Sequence, residues 1–148
     1  AIQIVPMQEK HISALAQLER LCFSQPWTEN GLRSELHNKL AVFCVAEQNG
    51  QVLGYAGMQC VMGECYINNI AVFPQFRGMG IGTTLVKVLI EQAIQRDGVF
   101  ISLEVRVSNQ QAISIYQKLG FQEVGCRKNF YTAPVEDGLI MTKEFKSQ

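Results

Sequence analysis

The spacing of apolar residues predicts a strand and two helices in the N-terminal part of the chain. Residues 2–5 (IQIV) are typical of a short strand. The stretch from Met7 to Phe23 then carries apolar residues at helical spacing, namely Ile12, Leu15, Ala16 and Leu18. Pro26 favours a break after this helix, and Thr28 is a suitable N-cap for a second, shorter helix.

Between residues 40 and 73 the pattern is that of β-strands separated by tight turns. The pair Asn49-Gly50 lies between two apolar runs, and both residues tolerate the positive φ angles that a two-residue hairpin turn requires. Gly63 offers a second turn. The segment therefore predicts three consecutive antiparallel strands.

Helical spacing returns at Ile81 and then alternates with strands to the end of the chain. The helix that begins there has one apolar stripe, formed by Ile81, Leu85, Val88, Leu89 and Ala93, and Gly98 lies just past its end. The remaining elements are a strand over 99–107, a helix over 109–119 that stops at Gly120, and strands over 121–126 and 138–145. The order β-α-α-β-β-β-α-β-α-β-β predicts an α/β (α+β) fold, with a mixed sheet flanked by helices.

Composition narrows the class of protein. No repeat, low-complexity tract or linker divides the sequence, so residues 1–148 are expected to form a single domain. Thirteen basic and thirteen acidic residues cancel, which removes the overall field that attracts proteins to nucleic acids or anionic membranes. The apolar runs are shorter than the roughly 20 residues of a membrane span, and the N-terminus has no signal-peptide pattern. We therefore expect a soluble cytoplasmic protein that binds neither nucleic acid nor membranes directly.

The cysteines and histidines predict no metal centre. The five cysteines are odd in number, show no C-x-x-C spacing and mostly lie in apolar, strand-like runs. They are expected to be buried free thiols in a reducing compartment. The two histidines, His11 and His37, form no ligand pattern with the cysteines.

Residues 73–89 (FPQFRGMGIGTTLVKVL) place three glycines directly before an amphipathic helix. Such a loop lets backbone N–H groups approach a ligand closely, and a helix N-terminus favours negative charge, so phosphate is the expected ligand. A plain tight connection is the alternative. A Walker loop is excluded because no glycine of the chain is followed by lysine. The G-x-G-x-x-G/A dinucleotide fingerprint is excluded because its last position falls on Thr83 or Leu85.

The motif that remains is R-x-x-G-x-G, formed by Arg77, Gly80 and Gly82 and preceded by NNIAVFPQF. This stretch resembles the acetyl-CoA pyrophosphate motif of the GCN5-related N-acetyltransferase (GNAT) family. The resemblance continues in LEVRVSNQQAISIYQKLGF (103–121), which looks like the family's later strand and helix ending in Tyr-x-x-x-Gly-Phe. It implies the GNAT acyl-CoA N-acyltransferase fold, with a mostly antiparallel sheet of about seven strands and about four helices. It also implies acetyl-CoA as cosubstrate and no metal.

The same resemblance assigns the cofactor-binding residues. It implies that backbone amides of the glycine loop hold the pyrophosphate, from residues Arg77, Gly78, Met79, Gly80, Ile81 and Gly82. Ile70, Ala71 and Val72 would offer strand-edge main-chain groups to the pantetheine and the thioester. Asn109 is expected to cap the following helix and also to contact the cofactor.

Two residues are candidates for catalysis. Residues 101–107 alternate, so Ser102, Glu104 and Arg106 share one strand face. If this strand is central, Glu104 faces a cleft, where desolvation makes a carboxylate more basic and suits it to deprotonate an amine. An ion pair with Arg106 or another cation is the alternative. Tyr116 lies on an apolar helix stripe, which is also typical of a core aromatic. The resemblance implies that Glu104 is the general base and that Tyr116 is the general acid that protonates the departing thiolate.

The choice of amine rests on chemistry and on resemblance. An α-amino group has a reference pKa of about 7.7 to 8.0 and a lysine about 10.4, so a carboxylate base deprotonates an N-terminus more easily near neutral pH. Residues 22–36 (CFSQPWTENGLRSEL) and 127–141 (RKNFYTAPVEDGLIM) are similar to GNAT members that acetylate the N-terminal alanine of a small-subunit ribosomal protein. By this resemblance, Trp27 and Tyr131, in two loops, would flank the groove for the acceptor peptide.

Other interpretations of these segments stay open. The alternative for Trp27 is a cover over the core, and for Tyr131 an aromatic residue of a surface loop. Phe130 stands where the family resemblance leads us to expect a tyrosine, and the segment 132–137 is shorter than usual. Acetylation of a lysine side chain or a small-molecule amine, and a non-enzymatic CoA-binding module, are the alternative functions. We expect a monomer whose protein partner is the N-terminal peptide of a ribosomal protein.

Overall fold

The computed structural model describes residues 1–145; Lys146, Ser147 and Gln148, which belong to the expected domain 1–148, lie outside the described residues. The strands are β1 (Gln3–Pro6), β2 (Ala41–Gln48), β3 (Gln51–Val61), β4 (Glu64–Val72), β5 (Phe100–Arg106), β6 (Gln122–Tyr131) and β7 (Glu136–Glu144). The α-helices are α1 (Ile12–Cys22), α2 (Glu29–Glu35), α3 (Ile81–Gln95) and α4 (Gln110–Lys118). Short 3₁₀ helices span Glu9–His11 and Pro74–Phe76.

The strands form one seven-stranded sheet in the order β1-β2-β3-β4-β5-β7-β6. Every neighbouring pair is antiparallel except β4 and β5, which run parallel. The predicted α/β (α+β) architecture, with a mixed and mostly antiparallel sheet and four helices in residues 1–145, is confirmed.

Strands β4 and β5 pair over a short stretch and then separate. Their register covers only Glu64, Cys65 and Tyr66 of β4, opposite Phe100, Ile101 and Ser102 of β5. On the other side of β4, the register with β3 shifts so that Asn68 has no partner between Ile67 and Asn69. Such a bulge bends the strand that carries the extra residue. The centre of the sheet therefore opens into a gap beyond Tyr66.

Two predicted hairpin turns are confirmed. Asn49 and Gly50 join β2 to β3 with φ angles of 52° and 78°, and Met62 and Gly63 join β3 to β4 with φ angles of 50° and 85°. Positive φ at both central residues matches the right-handed twist of the flanking strands. These turns place β2, β3 and β4 side by side, as predicted.

The helix boundaries follow the capping residues. The Thr28 hydroxyl accepts a hydrogen bond from the Gly31 N–H at 3.0 Å, and Asn109 Oδ1 accepts one from the Ala112 N–H at 3.2 Å. Both predicted caps are confirmed. The first helix is shorter than its sequence pattern, because α1 begins only at Ile12, after the 3₁₀ turn.

Two apolar clusters lie on opposite faces of the sheet. Strand β2 shows the alternation: Cys44 and Ala46 belong to one cluster, and Phe43 and Val45 belong to the other. The first cluster packs α3 onto the sheet through Ile81, Leu85, Leu89, Ile101, Leu103 and Val105. The second packs α1 and α2 through Ile12, Leu15, Leu18 and Leu32. No helix within residues 1–145 is both long and apolar enough to cross a membrane.

The C-terminal hairpin is longer than predicted. Strand β6 continues to Tyr131, which pairs with Glu136 of β7, so the prediction of a loop at Tyr131 is wrong. The family resemblance placed Tyr131 in a loop, but an exposed outer strand tolerates polar residues on both faces and extends to this residue. The expectation of buried thiols holds for three of the five cysteines: Cys44, Cys60 and Cys65 are buried, whereas Cys22 is partly buried and Cys126 on β6 is exposed.

Candidate active site

A cleft of about 760 Å³ occupies the gap between β4 and β5. Residues from the α1–α2 segment, both central strands, α4 and β6 line it. It brings together six of the residues that the sequence singled out, namely Trp27, Ile70, Glu104, Asn109, Tyr116 and Tyr131. These positions are far apart in the chain, so their convergence on one cleft is a property of the fold.

Glu104 projects from the middle of β5 on the face opposite the cluster of Leu103 and Val105. Its Oε1 lies 3.5 Å from Arg127 Nε, and its side chain is 23% exposed. Its Oε2 is buried without a hydrogen-bond partner in the described residues. The alternative of an ion pair with Arg106 is wrong, because Arg106 pairs with Glu136. The alternative of another cation is confirmed, because Arg127 contacts one oxygen of the Glu104 carboxylate. The other oxygen makes no hydrogen bond among the described residues.

Tyr116 borders the same cleft from α4. Its ring lies 5.8 Å from that of Phe121 and packs against the first apolar cluster. Burial, and to a lesser degree the charge of Tyr131, raises the pKa of Tyr116 to about 12. The hydroxyl therefore keeps its proton at neutral pH, as a proton donor must and a base must not.

Tyr131 is held in place by the side chain of Arg106. The Arg106 guanidinium carbon lies 4.5 Å from the centre of the Tyr131 ring. The same guanidinium donates to the carbonyl oxygens of Thr132 and Pro134 at 3.1 and 2.9 Å, and to Glu136 at 3.2 Å. Burial first, and then the Glu104 carboxylate, raise the pKa of Tyr131. Arg106 thus joins the β6–β7 loop to β5 and fixes an aromatic ring at the edge of the cleft.

Trp27 combines the two interpretations that the sequence left open. Its ring lies 6.0 Å from that of Phe43 in the second apolar cluster, so it does cover the core. It also lines the cleft. Its backbone N–H donates to Glu19 Oε1 at 3.0 Å, which fixes the α1–α2 connection.

Sequence reasoning missed a buried polar network behind the cleft. It consists of Glu19, Tyr55 and Asn69, which are 1%, 0% and 4% exposed. The Tyr55 hydroxyl donates to Glu19 at 2.6 Å, and the Asn69 amide donates to Tyr55 at 3.0 Å. One signal was available: Glu19 follows Ile12 by seven residues, so an acid occupies the apolar stripe of α1. The sequence around Tyr55 and Asn69 carried no such signal, because both residues lie in ordinary strand patterns.

The glycine loop lies before α3 with its main chain accessible. Gly78 and Gly80 have φ angles of 83° and 78°, and an added Cβ at either position, or at Gly82, would meet no atom within 4 Å. Gly80 provides no side-chain cap, and the first turn of α3 contains no acidic residue. The backbone N–H groups at this helix N-terminus are therefore open to an anion.

The backbone N–H of Arg77 is not among them. It donates to the Pro74 carbonyl at 3.3 Å, which closes the 3₁₀ turn. The Arg77 side chain donates to the Val72 carbonyl at 3.1 Å and lies 3.5 Å from Cys22 Sγ. In this conformation, the Arg77 side chain connects the end of β4 to the end of α1.

The other predicted cofactor residues fall on either side of the cleft. Ile70, Ala71 and Val72 lie beyond the last β4–β5 pair, so their main-chain edge toward β5 has no strand partner. Asn109 lines the cleft and caps α4 at the same time. Met79 and Ile81 lie within the glycine loop and at the start of α3. No group of histidine, cysteine and acidic side chains suited to a metal ion occurs among residues 1–145.

The family model described as "Acetyltransferase (GNAT) family" matches residues 12–121. This range includes β4, the glycine loop, β5 and α4, but not β6, β7 or the loop between them. The chain belongs to the GNAT family. The acetyltransferase fold expected from the loop and the Tyr-x-x-x-Gly-Phe segment is therefore confirmed.

Several GNAT proteins are similar over almost the whole chain. A protein of Escherichia coli (strain K12) named "[Ribosomal protein bS18]-alanine N-acetyltransferase" is 34% identical over 140 residues, or 93% of this chain and 94% of its own length. A protein of Bacillus subtilis (strain 168) is 40% identical over 91% of this chain and 90% of its own length, and its name assigns the same activity provisionally. The crystal structure of the ribosomal-protein-S18-alanine N-acetyltransferase from Escherichia coli superposes with a TM-score of 0.90 at 31% identity, covering 100% of this chain and 96% of its own.

Proposed function

We propose that this GNAT protein transfers the acetyl group of acetyl-CoA to the N-terminal α-amino group of a protein, namely the N-terminal alanine of a small-subunit ribosomal protein. The observation that carries the proposal is the cleft between β4 and β5, which is lined by Glu104, a carboxylate with one oxygen that has no hydrogen-bond partner among residues 1–145. The names of the two relatives and of the similar crystal structure support the choice of acceptor. In this proposal the protein is a cytoplasmic monomer with a single catalytic domain.

In this proposal the cofactor is bound mainly by main-chain groups. The N–H groups from Gly78 to Gly82 hold the pyrophosphate at the start of α3, where the helix dipole favours its charge. The free edge of β4 from Ile70 to Val72 pairs with the pantetheine amides. The open space around Gly82 is compatible with a ligand in contact with the backbone. Acetyl-CoA supplies an activated thioester at the point where the strands separate.

Glu104 and Tyr116 divide the proton transfers between them. Glu104 removes a proton from the α-ammonium group, directly or through a water, and the amine then attacks the thioester carbon. A backbone N–H near Val72 stabilises the tetrahedral oxyanion. Tyr116 gives its proton to the CoA sulfur as the carbon–sulfur bond breaks. The raised pKa of Tyr116 supports this assignment, because the proton stays available up to strongly alkaline pH.

Aromatic side chains border the acceptor's entry to the cleft. Trp27 and Tyr131 both line it, and each is fixed by other contacts, Trp27 by Glu19 and Tyr131 by Arg106. Rigid aromatic walls limit the entropy lost when a peptide binds. The proposal therefore assigns them to the peptide adjacent to its N-terminus.

The test is to identify the modified atom by mass spectrometry. The enzyme is incubated with acetyl-CoA and a peptide that begins with alanine and contains an internal lysine. The expected product carries one acetyl group on the α-nitrogen, and a matched peptide whose N-terminus is already acetylated gives no product. Acetylation of the lysine in both peptides would contradict the proposal and favour the lysine alternative.

A further inference from the structure

Two buried side-chain oxygens have no hydrogen-bond partner among residues 1–145, Asn69 Oδ1 and Glu104 Oε2. Both residues line the cleft. The proposed mechanism uses Glu104 and leaves Asn69 without a role. A buried acceptor without a donor destabilises a protein because its desolvation is not compensated. A ligand that donates to Asn69 would remove this cost on binding.

Three hydrogen bonds determine which end of the Asn69 amide faces the cleft. Glu19 Oε1 accepts from the Trp27 N–H at 3.0 Å, and Glu19 Oε2 accepts from the Tyr55 hydroxyl at 2.6 Å. A tyrosine hydroxyl has one proton, and this one is donated to the carboxylate. The Tyr55 oxygen can therefore only accept from Asn69, whose Nδ2 lies 3.0 Å away. The Asn69 amide oxygen must therefore point away from Tyr55. A flipped amide would place Oδ1 next to the Tyr55 oxygen, and neither atom could donate a hydrogen.

The network also carries negative charge. Both oxygens of Glu19 accept hydrogen bonds, as those of an ionised carboxylate do. No lysine, arginine or histidine lies within 4.0 Å of it in the part of the chain that the structure describes. Burial, and next the hydrogen bond to Glu19, raise the pKa of Tyr55, so the tyrosine stays protonated. A cationic donor is the partner that such a network favours on its cleft side.

Asn69 and Glu104 project from the same face of the sheet. Asn69 bonds to Tyr55, which belongs to the cluster packed against α1, and Glu104 lies opposite the α3 cluster. They thus stand on the two strands that bound the gap. An α-ammonium group has three N–H donors, and transfer of one proton to Glu104 leaves two.

We infer that Asn69 Oδ1 accepts an N–H of the acceptor's α-amino group, and that Glu19 and Tyr55 are positioning residues that hold the Asn69 amide in this orientation. The inference rests on the proposed function. With one hydrogen held by Asn69 and one removed by Glu104, the nitrogen lone pair has a defined direction for attack on the thioester. Asn69 then helps the enzyme to select acceptors with a free amine over acceptors without an amine.

The test compares two peptides of one sequence, one beginning with alanine and one with a propionyl group, which lacks only the amine. Dissociation constants are measured by calorimetry with the enzyme saturated with CoA. We expect Asn69→Leu to lower the wild-type preference for the alanyl peptide about tenfold, because a hydrogen bond to a charged group is lost. Tyr55→Phe should lower it less, since the amide remains but is free to flip. Gln59→Leu, the same amide-to-leucine change on β3 outside the cleft, should leave the preference unchanged.

Each result separates the inference from the proposed function. An unchanged preference in Asn69→Leu, with acetyl-CoA affinity and melting temperature retained, would mean that the amide binds only water and would overturn the inference. If Asn69→Leu does not fold, the preference in Tyr55→Phe decides, and a wild-type value there would overturn it. Absence of turnover of the alanyl peptide by the wild-type enzyme would instead refute the proposed function, and the inference with it.

Discussion

The glycine loop and the acceptor cleft present ligands with different kinds of groups. The loop is a contiguous stretch from Arg77 to Gly82, exposed as far as Gly80, whose glycines leave the backbone N–H groups at the start of α3 uncovered. The cleft is assembled from side chains that are distant in the chain, from Glu19 to Ile140, and its polar members Glu19, Asn69 and Ser102 are buried. This contrast indicates a division of labour, in which the loop determines cofactor affinity and the cleft determines the acceptor and the chemistry. The variants below test that division.

Glu104→Gln has the largest expected effect. It keeps the shape of the side chain but removes the base, so kcat for the alanyl peptide should fall by about 10²–10⁴-fold. The dissociation constant for acetyl-CoA should not change, because the pyrophosphate site contains no part of Glu104. Stopped-flow or coupled thiol assays measure the first quantity and calorimetry the second. Wild-type turnover in this variant would remove Glu104 from the mechanism.

Tyr116→Phe should lower kcat by about 10²-fold, since loss of a general acid slows departure of the thiolate. The effect should be concentrated in kcat, with the KM for peptide close to wild type. A uniform rise in both KM values, without a change in kcat, would assign Tyr116 to packing alone.

The same residue links stability to alkaline pH. Because the pKa of Tyr116 is raised from 10.0 to about 12, the folded state holds the proton more tightly than the unfolded chain. This contribution to the free energy of unfolding is complete below about pH 10 and is lost as the pH rises through 12. Denaturant titrations should therefore show that the free energy of unfolding falls less between pH 10 and pH 12 in Tyr116→Phe than in wild type.

Gly82→Leu probes the loop without disturbing the fold. An added Cβ meets no atom within 4 Å, and the position does not require positive φ, so the free protein should stay as stable as wild type or gain slightly. The side chain would instead occupy the space expected for the pyrophosphate. We expect the dissociation constant for acetyl-CoA to rise about tenfold or more, the loss of about one charge-assisted hydrogen bond. Unchanged affinity would show that the cofactor lies elsewhere.

Arg106→Lys should have the smallest effect. Lysine keeps the charge but lacks the planar fork that binds Thr132, Pro134 and Glu136 together and stacks on Tyr131. The KM for peptide should rise about fivefold or less, as for a partly exposed ion pair, with acetyl-CoA affinity unchanged. Arg33→Lys is the matched control, because Arg33 pairs with Glu9 and Glu29 on α2, away from the cleft. Equal effects of the two changes would argue against a role for the β6–β7 loop.

The sequence predicted features that local backbone chemistry decides. The Asn49-Gly50 turn, the caps at Thr28 and Asn109 and the start of α3 at Ile81 were all confirmed. Each depends on residues next to one another in the chain. For the same reason, the glycine loop and the family were recognisable before the fold was known.

Other features of the cleft depend on contacts between distant segments. Tyr131 was assigned to a loop by family resemblance, yet pairing with β7 extends the strand to it. The backbone N–H of Arg77 was expected at the phosphate, yet it donates to the Pro74 carbonyl within the 3₁₀ turn. Glu19, Tyr55 and Asn69 are separated by more than ten residues from one another, and only the packing of α1 on β3 and β4 brings them together.

A crystal structure with a conjugate of CoA and an alanine-starting peptide tests the central claim most directly. The account predicts that the pyrophosphate lies on the backbone N–H groups from Gly78 to Gly82, and that the amide nitrogen joining the two halves lies between Asn69 and Glu104. A pyrophosphate bound away from this loop, or a peptide that leaves the cleft between β4 and β5 empty, would contradict it.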